Sequence, residues 1–137
     1  MKYAFFSDVH ANYEAFQAIL EDAEREKVDH YAFLGDIVGY GAEPRECIAR
    51  LQDLIQQHRC ICLAGNHDYA VAGVSPYAHY NIYARESINW TKQQLNKAEL
   101  EFLAPMPLVE RFPIREKSST NDMITIVHAN LVAPEQW

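Results

Sequence analysis

A chain of 137 residues, 49% hydrophobic and 23% charged, has the size and balance of one globular domain, residues 1–137. Its formal net charge of −7 is the wrong sign for non-specific nucleic-acid binding, which needs a basic stripe facing phosphates. An odd count of three cysteines excludes a simple secreted disulfide framework, and with no apolar run of membrane-spanning length and no leader-like start a cytoplasmic protein without membrane contact is expected.

Tyr3-Ala4-Phe5-Phe6 reads as a short, buried strand. From Asn12 the pattern turns helical, with Tyr13, Phe16, Ile19, Leu20 and Ala23 on one face and Glu14, Glu21, Asp22, Glu24 and Arg25 on the other. Tyr31-Ala32-Phe33-Leu34 is a second strand and Gly39-Tyr40-Gly41 a loop. Pro44 suits the first turn of the next helix, where its missing donor is not needed. Cys47, Ile48, Leu51, Leu54 and Ile55 form that helix's apolar stripe. Cys60-Ile61-Cys62-Leu63-Ala64 is a third strand, with Cys60 and Cys62 on one side as reduced core thiols. Alternation of strand and helix predicts parallel strands joined by right-handed crossovers. Residues 78–95, carrying Ile82, Ile88, Trp90 and Leu95, read as helical, as do residues 98–103; Pro105 and Pro107 end that region. Residues 108–112 and 123–127 read as strands flanking a polar turn at 117–122.

In such sheets ligands gather beyond the carboxyl ends of the strands, and there this chain concentrates its chemistry. Asp8 and His10 follow the first strand two residues apart, close enough to share one cation; the bland alternative is a cap for the helix at Asn12 or a surface hydrogen bond. Asp36 follows the second strand, and its two oxygens suit a bridge between two cations; alternatively it bonds its own turn. Gly65-Asn66-His67-Asp68 follows the third strand. An asparagine carbonyl oxygen is a sound ligand for a hard cation, although Asn66 would also cap a helix. His67 could hold a phosphate oxygen or protonate a leaving group, with Asp68 setting its tautomer. His128 ends the last strand, as a ligand or as a structural histidine. The acidity lies with these candidates: residues 1–68 hold twelve Asp/Glu against six Lys/Arg, and residues 69–137 seven against six. Bound cations would reverse that local field and admit an anionic phosphate ester.

The order and strand-end placement of these clusters, with Gly35-Asp36-Ile37-Val38-Gly39-Tyr40-Gly41 and Glu43-Pro44-Arg45-Glu46-Cys47, resemble the calcineurin-like metallophosphoesterase family in its small bacterial and archaeal branch. The resemblance runs from Met1 to Trp137. It implies an α/β fold, a β-sandwich flanked by helices, with the C-terminal part of the sandwich missing. It also implies two divalent metal ions (manganese, iron, zinc or nickel). Asp8 and His10 would bind the first metal, Asp36 would bridge, and Asn66 and His128 would bind the second. His67 would contact the phosphate with Asp68 behind it. A bridging hydroxide would then cleave a phosphate monoester or diester. The family's downstream Gly-His-x-His motif is absent, Ala129 stands where the family usually has Gly, and His30, His58 and His79 read as surface or loop residues. The expectation is therefore a fragment of a longer enzyme, a chain that self-associates through its incomplete sheet, or a weakly active metal-binding scaffold. A protein serine/threonine phosphatase is a further alternative.

Overall fold

A computed structural model describes residues 2–57, 60–113 and 123–137. Ten elements follow in chain order: β1 Tyr3–Phe6, α1 Tyr13–Arg25, β2 His30–Phe33, α2 Pro44–Gln56, β3 Cys60–Cys62, α3 Asn66–Ala72, α4 Ile82–Gln94, α5 Lys97–Leu103, β4 Val109–Pro113 and β5 Met123–Val127. β1, β2 and β3 form a parallel sheet in that order, in register Phe6 with Phe33 and Phe33 with Cys62. β4 and β5 form an antiparallel ribbon pairing Val109 with Val127 and Pro113 with Met123. The expected turn at residues 117–122 and His58 lie outside the described residues.

The crossovers form for local reasons. Asn12 caps α1, its Oδ1 accepting the Ala15 N–H at 3.0 Å. Phe16, Leu20 and Ala23 are the side chains α1 buries, whereas Ile19 faces solvent. Pro44 opens α2, and Cys47, Ile48, Leu51 and Leu54 are buried from it. Successive residues of a strand point to opposite faces, and β2 makes the division plain. Tyr31 and Phe33 join a core with side chains from all five helices, while Ala32 joins Leu63, Phe112 and Ile126 beneath the ribbon. The layers are thus helices, parallel sheet and ribbon, the start of a two-sheet sandwich inside an α/β fold.

The middle of the chain departs from its periodicity. Its first helix begins at Asn66, and the next begins only after Asn81, whose Oδ1 accepts the Ala84 N–H at 3.0 Å. α4 buries a narrow stripe of Ala84, Ile88 and Thr91, leaving Ile82 and Trp90 exposed. The three cysteines are free thiols, and burial pushes Cys47 and Cys60 up to about 12 and Cys62 up to about 11. Protonated and partly or wholly buried, they act as core packing.

Candidate metal centre

Three loops leave the carboxyl ends of β1, β2 and β3, and backbone hydrogen bonds lace them together. Asp8 N–H donates to Gly35 O at 3.0 Å, His10 N–H to Asp36 O at 3.0 Å, and Ala11 N–H to Ile37 O at 2.8 Å. This lacing holds non-glycine residues in the left-handed region, with φ of 56° at Asp8, 49° at His10, 58° at Asp36 and 62° at Tyr40. Such backbone strain, about 1 kcal/mol or more per residue, persists only where surrounding structure imposes it.

Asp68 ties the β2 and β3 loops together. It is fully buried, and its carboxylate accepts the N–H groups of Asp36 at 2.8 Å, Gly65 at 2.9 Å and Val38 at 3.2 Å. Burial, and then the charge of Asp36, raise its carboxyl above the ordinary range, opposed by those three N–H donors. The sequence reading expected Asp68 to orient His67 instead. Its oxygens are spent on backbone, and His67 Nδ1 is buried without a hydrogen-bond partner among the described residues.

The donor atoms converge. His10 Nε2 lies 3.6 Å from Asp8 Oδ1 and 3.7 Å from Asp36 Oδ2. His128 Nε2 lies 3.5 Å from the same Asp36 oxygen and 3.2 Å from Asn66 Oδ1. The far side of each imidazole sets its tautomer. His10 Nδ1 meets Val38 O at 3.2 Å and His128 Nδ1 meets Leu34 O at 2.7 Å. A carbonyl oxygen only accepts, so each Nδ1 carries a proton, and in the neutral ring the lone pair is then on Nε2. Two imidazole Nε2 atoms, two carboxylates and an amide oxygen therefore face one another around Asp36, which is 2% exposed. With the rings neutral, acceptors this close repel one another, and a shared cation would relieve them. Oxygen with imidazole is the donor set of divalent transition metals, so the residues fit the metals the sequence implied. Burial raises the Asp36 carboxyl, the His67 N–H donated to its Oδ1 at 2.9 Å lowers it, and the Asp8 charge raises it again. A bound cation favours its ionised form.

His67 lies beside this group, its ring 5.1 Å from that of His10 and 4.7 Å from that of Tyr40. Burial, and then neighbouring His10, push its imidazole down to about 4. A cavity of about 280 Å³ opens next to it, lined by Tyr40, Asn66, His67, His79, Tyr80 and Trp137 among others. Tyr40 and Tyr80 were missed as site residues. Tyr40, an aromatic residue between two loop glycines, carried a signal; Tyr80 carried none. His79 is the exposed loop residue expected, yet it lines this cavity.

Gly65 lets the loops approach. A Cβ there would collide with Asp36 Oδ1 and stand 2.6 Å from Asp36 Cγ. Gly65→Ala is therefore expected to displace the central carboxylate. Overpacking of this kind costs about 1–3 kcal/mol, and misplacing a ligand weakens metal binding by about tenfold or more. Thermal melting and calorimetric metal titration read both effects; unchanged metal affinity would refute the close-approach account.

The family described as calcineurin-like phosphoesterase matches residues 1–134. An uncharacterized protein of Methanocaldococcus jannaschii is 38% identical over 134 residues, covering 98% of this chain and 51% of the relative. The crystal structure of a metallophosphoesterase from Sphaerobacter thermophilus is 41% identical with a TM-score of 0.64, over 80% of this chain and 43% of that one. A hypothetical protein from Pyrococcus horikoshii OT3 shares the fold, with a TM-score of 0.74 at 24% identity over 82% of this chain and 50% of that one. The chain thus spans about half the length of these relatives.

Proposed function

The chain belongs to the calcineurin-like phosphoesterase family, and from that premise we propose that it hydrolyses phosphate monoesters or diesters at a dinuclear metal centre. Asp8, His10 and Asp36 hold one metal, and Asp36, Asn66 and His128 the other. The observation that carries this reading is the pair of Nε2 atoms, from His10 and His128, turned toward one carboxylate oxygen of Asp36 at 3.7 and 3.5 Å. Two divalent cations, when bound, neutralise charge on the attacking and leaving oxygens of an in-line displacement at phosphorus.

The chain's own groups do the rest. Among the described residues three side chains face each half of the centre. His67 has its Nδ1 enclosed without a partner, leaving Nε2 as the ring nitrogen able to reach a phosphoryl oxygen, to which it would donate a hydrogen bond when protonated there. Asp68 holds the loops that carry Asp36 and Asn66 at their separation. The substrate's leaving group enters the cavity walled by Tyr40 and Tyr80.

The test is hydrolysis of p-nitrophenyl phosphate and bis(p-nitrophenyl) phosphate with manganese or nickel added to metal-free protein. Metal-dependent release of nitrophenolate at about two metals per chain supports the reading. Two bound metals without turnover would identify a binding scaffold instead, and no bound metal would reject both.

A further inference from the structure

Tyr40 stands beside the candidate centre in a conformation that a bulky side chain rarely adopts. Its φ of 62° lies in the left-handed region, where a non-glycine residue of this size is an outlier. The loop is pinned there from two sides. Tyr40 N–H donates to the Ser87 hydroxyl on α4, and Gly41 N–H donates to His10 O at 2.9 Å. Strain of this kind clusters at ligand-binding positions, where surrounding structure imposes it. Tyr40 is 52% exposed, yet its ring is placed against others. It lies 5.1 Å from the His10 ring and nearly perpendicular to it, and 4.7 Å from the His67 ring.

The cavity of about 280 Å³ that Tyr40 lines is walled by rings more than by aliphatic side chains. Among its described lining residues, Tyr40, His67, His79, Tyr80 and Trp137 carry rings, whereas Ala84 is aliphatic. The Tyr80 hydroxyl lies 3.0 Å from Asn66 Nδ2, and the Tyr80 ring lies 5.8 Å from that of His67 and 4.7 Å from that of His79. Aromatic rings attract one another through offset and edge-to-face contacts that a saturated ring of the same size does not make. We propose that Tyr40 is a specificity-determining residue that selects phosphate esters whose leaving group carries a planar aromatic ring, received against its own ring in this cavity. The assignment rests on the phosphoesterase reading above and narrows its substrate class. A mere shield over His10 and His67 would act on all esters alike.

The experiment compares benzyl phosphate with cyclohexylmethyl phosphate as substrates of manganese-loaded wild type, Tyr40→Phe and Tyr40→Leu. Both esters release primary alcohols of similar acidity, so the bond broken favours neither. A merely apolar cavity favours the saturated ring, the more hydrophobic of the two. Wild type is expected to prefer the benzyl ester by about fivefold in kcat/KM, the size of one aromatic contact, and Tyr40→Phe to keep that preference. Tyr40→Leu retains apolar bulk without a π face and is expected to lose it. Each ratio is read on one preparation, so a misfolded fraction leaves it unchanged. Calorimetric affinities of phenethylphosphonate and cyclohexylethylphosphonate, which have no ester bond to cleave, are expected to show the same pattern without turnover. Equal handling of the pair by wild type, preference for the saturated ring, or a benzyl preference that survives in Tyr40→Leu overturns the Tyr40 assignment alone. Wild type that neither hydrolyses the esters nor binds the phosphonates overturns the phosphoesterase reading, and this assignment with it.

Discussion

Asp36→Asn is expected to abolish metal binding at both positions while leaving the metal-free chain at least as stable as wild type. Among the described residues, this carboxylate is the one side chain that both imidazoles reach, His10 at 3.7 Å and His128 at 3.5 Å through one oxygen. Its other oxygen accepts the His67 N–H at 2.9 Å. Asparagine can keep that second bond with its own oxygen, which turns its NH₂ toward the two Nε2 atoms, as a donor to each neutral ring. Repulsion becomes hydrogen bonding, and a buried charge disappears. Functional sites commonly trade stability for activity in this way. Phosphoesterase activity should fall by about a hundredfold or more, the scale of losing one preorganised electrostatic group. Elemental analysis, melting in chelator and nitrophenyl ester hydrolysis together provide the check. A variant that retains two metals would overturn the bridging role.

Asp68→Ala is expected to give the opposite pattern: a severe loss of stability even without metal. Three buried N–H groups, of Asp36, Gly65 and Val38, lose their acceptor together. Each unsatisfied buried group costs about 1–3 kcal/mol, so a total of about 3–5 kcal/mol is expected, allowing for some relaxation. That corresponds to a fall of about 10 °C or more in melting temperature for a domain of this size. Asp68→Asn keeps one acceptor oxygen and opposes an amide donor to the remaining N–H groups, so an intermediate loss is expected. If Asp68 instead acted by orienting His67, Asp68→Ala would melt like wild type and lose only activity. Chelator-treated thermal denaturation separates the two accounts.

Much of this was legible from residue order, because the candidate ligands sit at strand ends and strand ends are visible in the sequence. Tyr3–Phe6 and the short apolar runs after it marked a parallel sheet, and Asp8, Asp36 and Asn66 each fell just past a carboxyl end. What remained hidden depends on contacts distant in sequence. Asp68 stands next to His67 in the chain, which suggested a partnership. Its true partners are backbone groups of the neighbouring loop, and no side-chain pattern reports backbone N–H positions. Tyr80 meets Asn66 only because the chain doubles back after α3. The stripe of α4 was misread at Ile82 and Trp90 because that helix buries only Ala84, Ile88 and Thr91; apolar residues on a helix need not all face inward.

The ribbon that carries His128 shares no strand ladder with the parallel sheet among the described residues. It is attached by the packing of Phe112 and Ile126 on Ala32 and Leu63, by Ala64 N–H to Pro107 O at 2.9 Å, and by His128 to Leu34. An ion gripped jointly by Asp36 and His128 would therefore act as a clasp between two separately laddered sheets. Occupancy and architecture would then be thermodynamically linked: whatever tightens the grip on the ion also rivets the sandwich.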